Sequence, residues 1–167
     1  MDIYWRDQMV CPTEDQYLDM IVKKTGGPFI LAVKLMQLFS SNKTDFQPLL
    51  KILSHYFQIR DDYANLMSVE YNEKKGFCED ITEGKFSFPI IHAMNNSIND
   101  TTIIDILRLR TRDNGLKKMV IKKLQSLGSL EYTLERIIML DSMARNEINV
   151  LGHNPVMMAL LDYLRNI

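Results

Sequence analysis

The sequence contains only two cysteines, Cys11 and Cys78, which lie far apart in the chain. A disulfide framework needs several paired cysteines, and a zinc site needs cysteines or histidines at short, regular spacings. The histidines at 55, 92 and 153 have no such spacing. We therefore predict neither a disulfide scaffold nor a zinc site, and two reduced thiols are typical of a cytoplasmic protein.

Long apolar runs and a strong charge of either sign are also absent. The 167 residues are 46% hydrophobic and carry a net charge of -1. Charged residues interrupt each apolar stretch before it reaches the ~20 residues that cross a bilayer. No segment has the basic start and apolar centre of a secretion signal. We expect no transmembrane segment, no leader and no basic surface that attracts nucleic acid.

Strand-like alternation is missing, whereas helix signals recur. Thr13 begins a capping box, Asp113 is a second candidate N-cap, and Asn154 followed by proline is a third. Residues 29–39 are apolar nearly all round, which predicts a central, buried helix. These signals predict an all-α helical bundle.

A polar cluster interrupts the apolar face of one long helix, which is predicted over residues 45–71. Apolar residues at helical spacing lead to Asp61 and Asn65, and Gln58 lies on the same face. A carboxylate in a core position is costly unless a cation or hydrogen-bond donors meet it. Mg²⁺ suits this position because it takes one or two carboxylates and completes its shell with water and phosphate oxygens. The competing interpretation is a solvated acidic pair at a helix end.

The sequence around this acidic pair resembles a known family. Residues 57–66 (FQIRDDYANL) and 77–89 (FCEDITEGKFSFP) resemble the second aspartate-rich region of eukaryotic geranylgeranyl diphosphate synthases, which are trans-isoprenyl diphosphate synthases. DIYWRD at 2–7 and KTGG at 24–27 resemble the same family in the same order. The resemblance implies an all-α isoprenoid-synthase fold. It also implies a Mg²⁺-dependent prenyltransferase that ionises an allylic diphosphate and joins it to isopentenyl diphosphate.

The resemblance implies roles for individual residues. Asp61 corresponds to the metal-binding aspartate, Asp62 to a carboxylate that acts through water, and Asn65 to a third position where geranylgeranyl synthases carry asparagine. The implied metal ligands are Asp61, Asp62 and Asn65. The implied substrate-binding residues are Lys24, Thr25, Phe57, Gln58, Lys75 and Lys85, and catalysis is assigned to Lys24, Thr25, Gln58 and Lys85. The position given to Lys75 could also be filled by Lys74.

The spacing of apolar residues predicts different surroundings for Lys24 and for four lysines later in the chain. Lys24 follows an apolar pattern at i, i+3, i+4 and i+7, so we expect it to project from the buried side of its helix. Lys117, Lys118, Lys122 and Lys123 are expected to form a solvated helix face, which is the usual location of lysine.

Several parts of the family pattern are missing. The first aspartate-rich motif, its arginine pair and the basic residues for isopentenyl diphosphate do not occur, and the glycine–glutamine pair before DIYWRD is gone. We therefore expect residues 1–167 to form a partial domain, the C-terminal half of a synthase. It would be a fragment, a truncated gene model or a short isoform. Alone, such a half is expected to expose an apolar face and to turn over nothing measurable.

Two functions remain open at this point. The chain is either the catalytic C-terminal portion of a synthase that makes geranylgeranyl diphosphate from farnesyl or a shorter allylic diphosphate, or a non-catalytic partner of a full-length synthase. A terpene cyclase is less favoured, because the KT and GKFSFP segments look like chain elongation. The resemblance implies a homo-oligomer or association with a full-length synthase. Product length is not encoded in the residues present.

Overall fold

The computed structural model describes residues 1–68, 76–97 and 100–165, which contain helices and no strand. The helices are α1 (Asp2–Gln8), α2 (Glu14–Lys24), α3 (Gly26–Leu38), α4 (Gln47–Met67), α5 (Glu79–Glu83), α6 (Phe88–Asn96), α7 (Thr102–Leu109), α8 (Asn114–Ser126), α9 (Ser129–Val150) and α10 (Pro155–Leu164). The predicted all-α fold is confirmed. None of these helices has the length and hydropathy that crossing a bilayer requires.

Three of the predicted helix starts are confirmed. Thr13 and Gln16 form both hydrogen bonds of a capping box before α2. The side chains of Asp113 and Asn154 accept hydrogen bonds from first-turn N–H groups of α8 and α10. These local side-chain acceptors satisfy N–H groups that have no partner within the helix, so the sequence sets where each helix begins.

Helix α4 lies at the centre of the fold. It packs against α2, α3, α6 and α9, and its contact with α9 is the most extensive between any two described helices. Leu53, Tyr56 and Ile59 are among its fully or nearly fully buried side chains. The helix begins later than predicted, and Ser68 already has an extended backbone. The predicted continuation to residue 71 falls outside the described residues.

The expectation that residues 29–39 form a central, buried helix is wrong for the described part of the chain. Helix α3 packs mainly against α2 and α4, which cover one side of it. The other side leaves Leu31 60% exposed, Leu38 71% exposed and the neighbouring Phe39 94% exposed. An apolar helix is central only when other elements cover both of its sides, and that depends on tertiary packing. We call the exposed apolar side chains Leu31, Leu35, Met36, Leu38 and Phe39 the α3 outer face.

The solvated lysine face predicted on α8 is wrong for Lys117. This side chain is only 4% exposed, and its ammonium donates to the Phe77 carbonyl oxygen at 2.5 Å. Lys123 forms an ion pair with Asp100. Helix α8 therefore holds the segment just before α5, which leads to the candidate site.

Candidate functional site

A cavity of about 70 Å³ lies beside the C-terminal half of α4, bordered by α1, α2 and residues 80–87. Its charged lining consists of Asp2, Lys24, Asp61, Asp62, Asp80 and Lys85. Gln58 and Tyr17 also line it. The structure thus brings together five residues predicted from sequence, namely Lys24, Gln58, Asp61, Asp62 and Lys85. We call this space the acidic cavity.

Asp62 is the most deeply buried carboxylate of the acidic cavity. Its side chain is 3% exposed. Oδ2 accepts hydrogen bonds from the Tyr17 hydroxyl at 2.5 Å and from the Phe88 N–H at 2.7 Å. Oδ1 accepts one from Gln58 Nε2 at 3.0 Å. Asp62 therefore joins α2, α4 and the first turn of α6, which fixes the geometry of the cavity wall.

Burial decides the protonation of this carboxylate. Burial, together with the nearby Asp80 carboxylate, raises the pKa of Asp62 to about 7, although the three hydrogen bonds oppose the shift. Burial also raises the pKa of Asp80, with Asp61 adding repulsion and Lys85 opposing it. The same surroundings, with Asp62 as a neighbour, raise the pKa of the Tyr17 hydroxyl well above its usual value. Ionising these groups together is therefore costly, and a cation bound among them would favour their charged forms.

Gln58 connects Asp62 to the end of α2. While its Nε2 donates to Asp62, its Oε1 accepts a hydrogen bond from the Thr25 hydroxyl at 2.9 Å. The Thr25 backbone N–H donates to the Ile21 carbonyl oxygen, as the last bond of α2. The lysine–threonine pair predicted from sequence is therefore held directly against the face of α4 that carries Gln58.

The two described lysines of the cavity each rest on carboxylates. Lys24 Nζ lies 2.5 Å from Asp2 Oδ2, and its side chain is 56% exposed. The expectation that Lys24 projects from the buried side is wrong, because it is the exposed last residue of α2 and pairs with Asp2 of α1. Although burial opposes the shift, the Lys24 ammonium holds the pKa of Asp2 below its usual value.

Lys85 has two carboxylate partners. Its Nζ lies 2.6 Å from Glu83 Oε2 and 3.3 Å from Asp80 Oδ1. Partial burial opposes its charged form, but the bonds to Glu83 and Asp80 outweigh this and raise the pKa of Lys85. Lys75, the third predicted lysine, lies outside the described residues together with Lys74.

Asn65 and Asp80 form a contact that sequence reasoning did not anticipate. Asn65 is buried, and its Oδ1 accepts a hydrogen bond from the Asp80 backbone N–H at 3.2 Å. In this structure the side-chain oxygen predicted to bind metal thus anchors the start of α5. Asp80 was missed because its closeness to Asp61 and Asp62 arises when the chain folds back after α4.

Asp61 and Phe57 occupy the half-buried side of α4. Asp61 lines the acidic cavity. One turn earlier, Phe57 packs edge-on against Phe29 of α3, with ring centroids 5.6 Å apart. The described part of α4 therefore changes along one face from an apolar surface to an acidic one.

The donor set of the acidic cavity fits Mg²⁺ bound through few protein ligands. The described residues contain no group of three or more His, Cys, Asp or Glu side chains arranged to enclose a metal ion. Mg²⁺ does not require such a cage, because it keeps several waters and uses one or two carboxylates together with phosphate oxygens. Carboxylate oxygens of Asp61 and Asp80 beside two ammonium groups match that kind of binding.

A second, apolar cavity of about 500 Å³ lies toward the other end of α4. It is bordered by α3, α9 and the region around α10, and Leu49, Leu50 and Leu53 of α4 contribute to its wall. Leu50 precedes Asp61 by eleven residues along one continuous helix, which corresponds to about 16 Å at 1.5 Å per residue. The acidic and apolar cavities thus lie along the same central helix.

Comparisons with known proteins identify relatives of this chain. Residues 1–124 match the family model described as Polyprenyl synthetase. The chain is 53% identical over 166 residues to a protein of Matsumurasca onukii named Terpene synthase, covering 99% of this chain and 55% of that protein. It is 47% identical over 165 residues to the geranylgeranyl pyrophosphate synthase of Dictyostelium discoideum, covering 99% and 54%. For the geranylgeranyl pyrophosphate synthase of Penicillium shearii, identity is 50% over 152 residues, covering 91% and 40%. The chain thus spans about half the length of the curated relatives it matches.

Proposed function

Because this chain belongs to the polyprenyl synthetase family, we propose that it forms the diphosphate-binding half of a prenyltransferase of the geranylgeranyl diphosphate synthase type. The proposed reaction joins isopentenyl diphosphate to farnesyl diphosphate or a shorter allylic diphosphate. The observation that carries the proposal is the acidic cavity, in which Asp61 and Asp62 lie with Lys24, Gln58 and Lys85. The names of the Dictyostelium and Penicillium relatives support the product.

The barrier in such a reaction is the separation of the diphosphate from the allylic carbon. Negative charge then accumulates on the leaving oxygens and must be stabilised by cations and hydrogen-bond donors. Lys24 and Lys85 place two ammonium groups at the cavity, and the Thr25 hydroxyl donates to Gln58, which lines the cavity. Gln58 and Asp62 help to hold α2 in a fixed position against α4. The ammonium and hydroxyl groups therefore do not have to move during the reaction.

Magnesium, when bound, would supply further charge neutralisation and would hold the leaving oxygens. Asp61 is the carboxylate that would hold it directly, and Asp62 and Asp80 lie beside it. Asp62 already accepts three hydrogen bonds from the protein. We therefore assign Asp62 mainly to positioning, with Asp61 as the direct ligand.

The apolar cavity would take the hydrocarbon tail of the substrate. Its wall is built largely from leucine, methionine, isoleucine and phenylalanine side chains, and a dry pocket protects a carbocation from water. Phe57 and Phe29 lie on the stretch of α4 and α3 between the two cavities. The tail would then extend along α4 from the acidic cavity.

The chain alone is proposed to be inactive, because half of a synthase neutralises the leaving group incompletely. Cys11 and Cys78 form no disulfide with each other, which supports the proposed cytoplasmic location. Activity would require the part of the relatives that lies outside the matched region. This defines the experiment that tests the function.

The test is prenyl chain elongation by the purified chain, with farnesyl diphosphate, isopentenyl diphosphate and Mg²⁺. We expect no product from the chain alone. We expect geranylgeranyl diphosphate when the unmatched N-terminal part of the Dictyostelium synthase is co-expressed with it, and an Asp61→Ala variant of the pair should lose at least about a hundredfold in rate. A pair that associates but yields no elongated product would refute the proposed function.

A terpene cyclase is the alternative favoured by the name of the Matsumurasca relative. A cyclase starts with the same ionisation but closes the tail on itself, so it needs no isopentenyl diphosphate. The same assay without isopentenyl diphosphate separates the two reactions. Release of a hydrocarbon or terpene alcohol from farnesyl diphosphate alone would assign the cyclase function.

A second alternative, a non-catalytic partner of a full-length synthase, is favoured by the α3 outer face. Five large apolar side chains lie together there, and Lys34 is the one charged residue between Pro28 and Phe39. Surfaces of this kind usually serve as interfaces. We propose that the face is covered by the part of a synthase molecule that corresponds to the half of the relatives this chain does not span.

We expect Leu35→Lys to weaken association with the Dictyostelium N-terminal part by at least about tenfold, because a charge would then be buried at the interface. Leu109→Lys is the matched control, since Leu109 is a similarly exposed leucine of α7. Sedimentation of mixtures measures both. Formation of a homodimer that Leu35→Lys disrupts would show that a second copy covers the face instead.

A further inference from the structure

We propose that Asn65 is a positioning residue, which acts through Asp80 and the turn at Gly84 to hold the Lys85 ammonium at the mouth of the acidic cavity. The proposal rests on the proposed function, in which Lys85 binds diphosphate. It gives Asn65 a role other than metal binding. It also adds Asp80, which neither the sequence analysis nor the comparisons assign, to the site.

The first link is the hydrogen bond between Asn65 and Asp80. Asn65 lies in the rigid central helix α4, one turn beyond Asp61, and is 3% exposed. Its Oδ1 accepts the Asp80 backbone N–H at 3.2 Å. This N–H belongs to the first turn of α5, where it has no partner within the helix. The side chain of Asn65 therefore fixes α5 to α4 at the residue whose carboxylate enters the cavity.

The second link is the turn that ends α5. The Lys85 N–H donates to the Asp80 carbonyl oxygen at 2.9 Å, and the Gly84 N–H donates to the Ile81 carbonyl oxygen at 3.1 Å. This pair of bonds, with Gly84 at φ 70°, forms a Schellman motif. Asp80 thus contacts Lys85 twice, once through the backbone and once through the ion pair at 3.3 Å. The position of Asp80 sets the position of Lys85.

Both the backbone conformation at position 84 and the atoms around it require glycine there. A φ of +70° is left-handed, which glycine adopts without strain. A Cβ at this position would lie 3.0 Å from the Leu107 carbonyl oxygen, so the turn fits closely against α7. The turn is therefore held from two sides, by Asn65 of α4 and by the end of α7.

Another anion can replace Glu83 and Asp80 as the partner of the Lys85 ammonium. Glu83 and Lys85 are both 42% exposed, and exposed pairs are worth little. A diphosphate arriving at the cavity competes for the Lys85 ammonium against partners of modest strength. The backbone anchor through Asp80 remains when the side-chain partners change, so Lys85 is already in place.

The first test measures how well the folded chain protects the Lys85 ammonium from chemical labelling when no ligand is bound. Acetic anhydride labels lysines, and mass spectrometry gives the rate at Lys85 relative to the exposed Lys118. Asn65→Leu removes the acceptor and should speed labelling of Lys85 by about threefold, the scale of one weak ion pair. Asn65→Asp keeps an oxygen acceptor and should preserve the protection. Equal rates in the wild type and the Leu variant would overturn the proposal.

A second variant covers the case in which Asn65→Leu does not fold. Gly84→Ala disturbs the same turn from the other side and should also speed labelling of Lys85. Gly128→Ala is its control, because Gly128 has a similar φ of +66° but no atom within 4 Å of its added Cβ. If both alanine variants label alike, the turn does not position Lys85.

The second test uses binding of magnesium pyrophosphate, measured by calorimetry on the full chain. We expect Asn65→Leu to weaken binding by about tenfold when Lys85 is present and to have no further effect in a Lys85→Met chain. If the effects simply add, Asn65 does not act through Lys85 and the proposal is wrong. If the wild type does not bind pyrophosphate, the proposed function fails, while the labelling rates still decide the role of Asn65.

Discussion

In magnesium-free buffer, the free energy of unfolding is expected to fall as the pH rises from about 4 to above 7, owing to Asp62. The folded state raises the pKa of this carboxyl from 3.8 to about 7. The folded protein then binds a proton more tightly than the unfolded chain does, so protonation stabilises the fold. The contribution is fully present below about pH 4 and is lost as the pH passes 7, with a size on the order of 2–4 kcal/mol.

An Asp62→Asn variant isolates this contribution from those of other titrating groups. Asparagine resembles the protonated carboxyl. The side-chain oxygen of the substituted asparagine can accept hydrogen bonds from Tyr17 and Phe88, and its NH₂ group can donate to Gln58 if the Gln58 amide flips. After the flip Gln58 still has a hydrogen bond to Thr25, because the Thr25 hydroxyl can accept as well as donate.

We expect Asp62→Asn to be more stable than the wild type at pH 8 and to lose that advantage at pH 5. Urea denaturation at several pH values, with a chelator present, measures both. The histidines contribute equally to the two proteins, so the difference between them reports Asp62 together with its interaction with Asp80. Parallel pH profiles for the wild type and the variant would show that Asp62 is ionised in the folded state throughout.

Two adjacent glycines should respond very differently to the same substitution. A Cβ at Gly26 would lie 2.6 Å from Ser54 Oγ, whereas a Cβ at Gly27 meets no atom within 4 Å. Ser54 is fully buried and donates to the Leu50 carbonyl oxygen, so it cannot move freely. Gly26→Ala should cost about 2 kcal/mol through overpacking. Gly27→Ala should change the stability by less than about 1 kcal/mol, because the helix preference of alanine is opposed by crowding of its Cβ against the ring of the following Pro28.

The Gly26 effect can be traced to its neighbour. Ser54→Ala removes the hydroxyl that the new methyl group meets, so the double variant should recover part of the lost stability. Thermal unfolding of the wild type, Gly26→Ala, Ser54→Ala and the double variant measures this recovery. Equal melting temperatures for the two single glycine variants would contradict the close approach of α3 to α4.

The helix starts could be predicted from sequence because their physical causes are local. The Thr13 capping box and the Asp113 and Asn154 caps satisfy N–H groups only a few residues away. The exposure of α3 could not be predicted, because its apolar pattern does not reveal which helices cover it. Lys117 was misjudged for a similar reason, since the Phe77 carbonyl that it meets is distant in sequence.

At the site, the residue types were predictable, but their separate contacts were not. The acidic pair on α4 was apparent from the interrupted apolar face. That Asp62 turns inward and Asp61 lines the cavity from a more exposed position depends on where α2 and α6 pack. The contact of Asn65 with Asp80 depends on how the chain returns after α4. Its one trace in the sequence is Gly84, which marks a helix end just before Lys85.

The central position of α4 also affects how the chain folds. Its largest partner, α9, begins some sixty residues after α4 ends, and Arg60 of α4 donates to the Leu164 carbonyl oxygen near the last described residue. The Tyr132 hydroxyl of α9 likewise reaches back to Glu14 of α2. Contacts between such distant segments form only after a large loop of chain has closed. The closure costs conformational entropy before the contacts can stabilise the fold. During synthesis α1 to α8 are therefore made before the helix that buries much of α4, so part of the apolar surface of α4 stays uncovered until α9 follows.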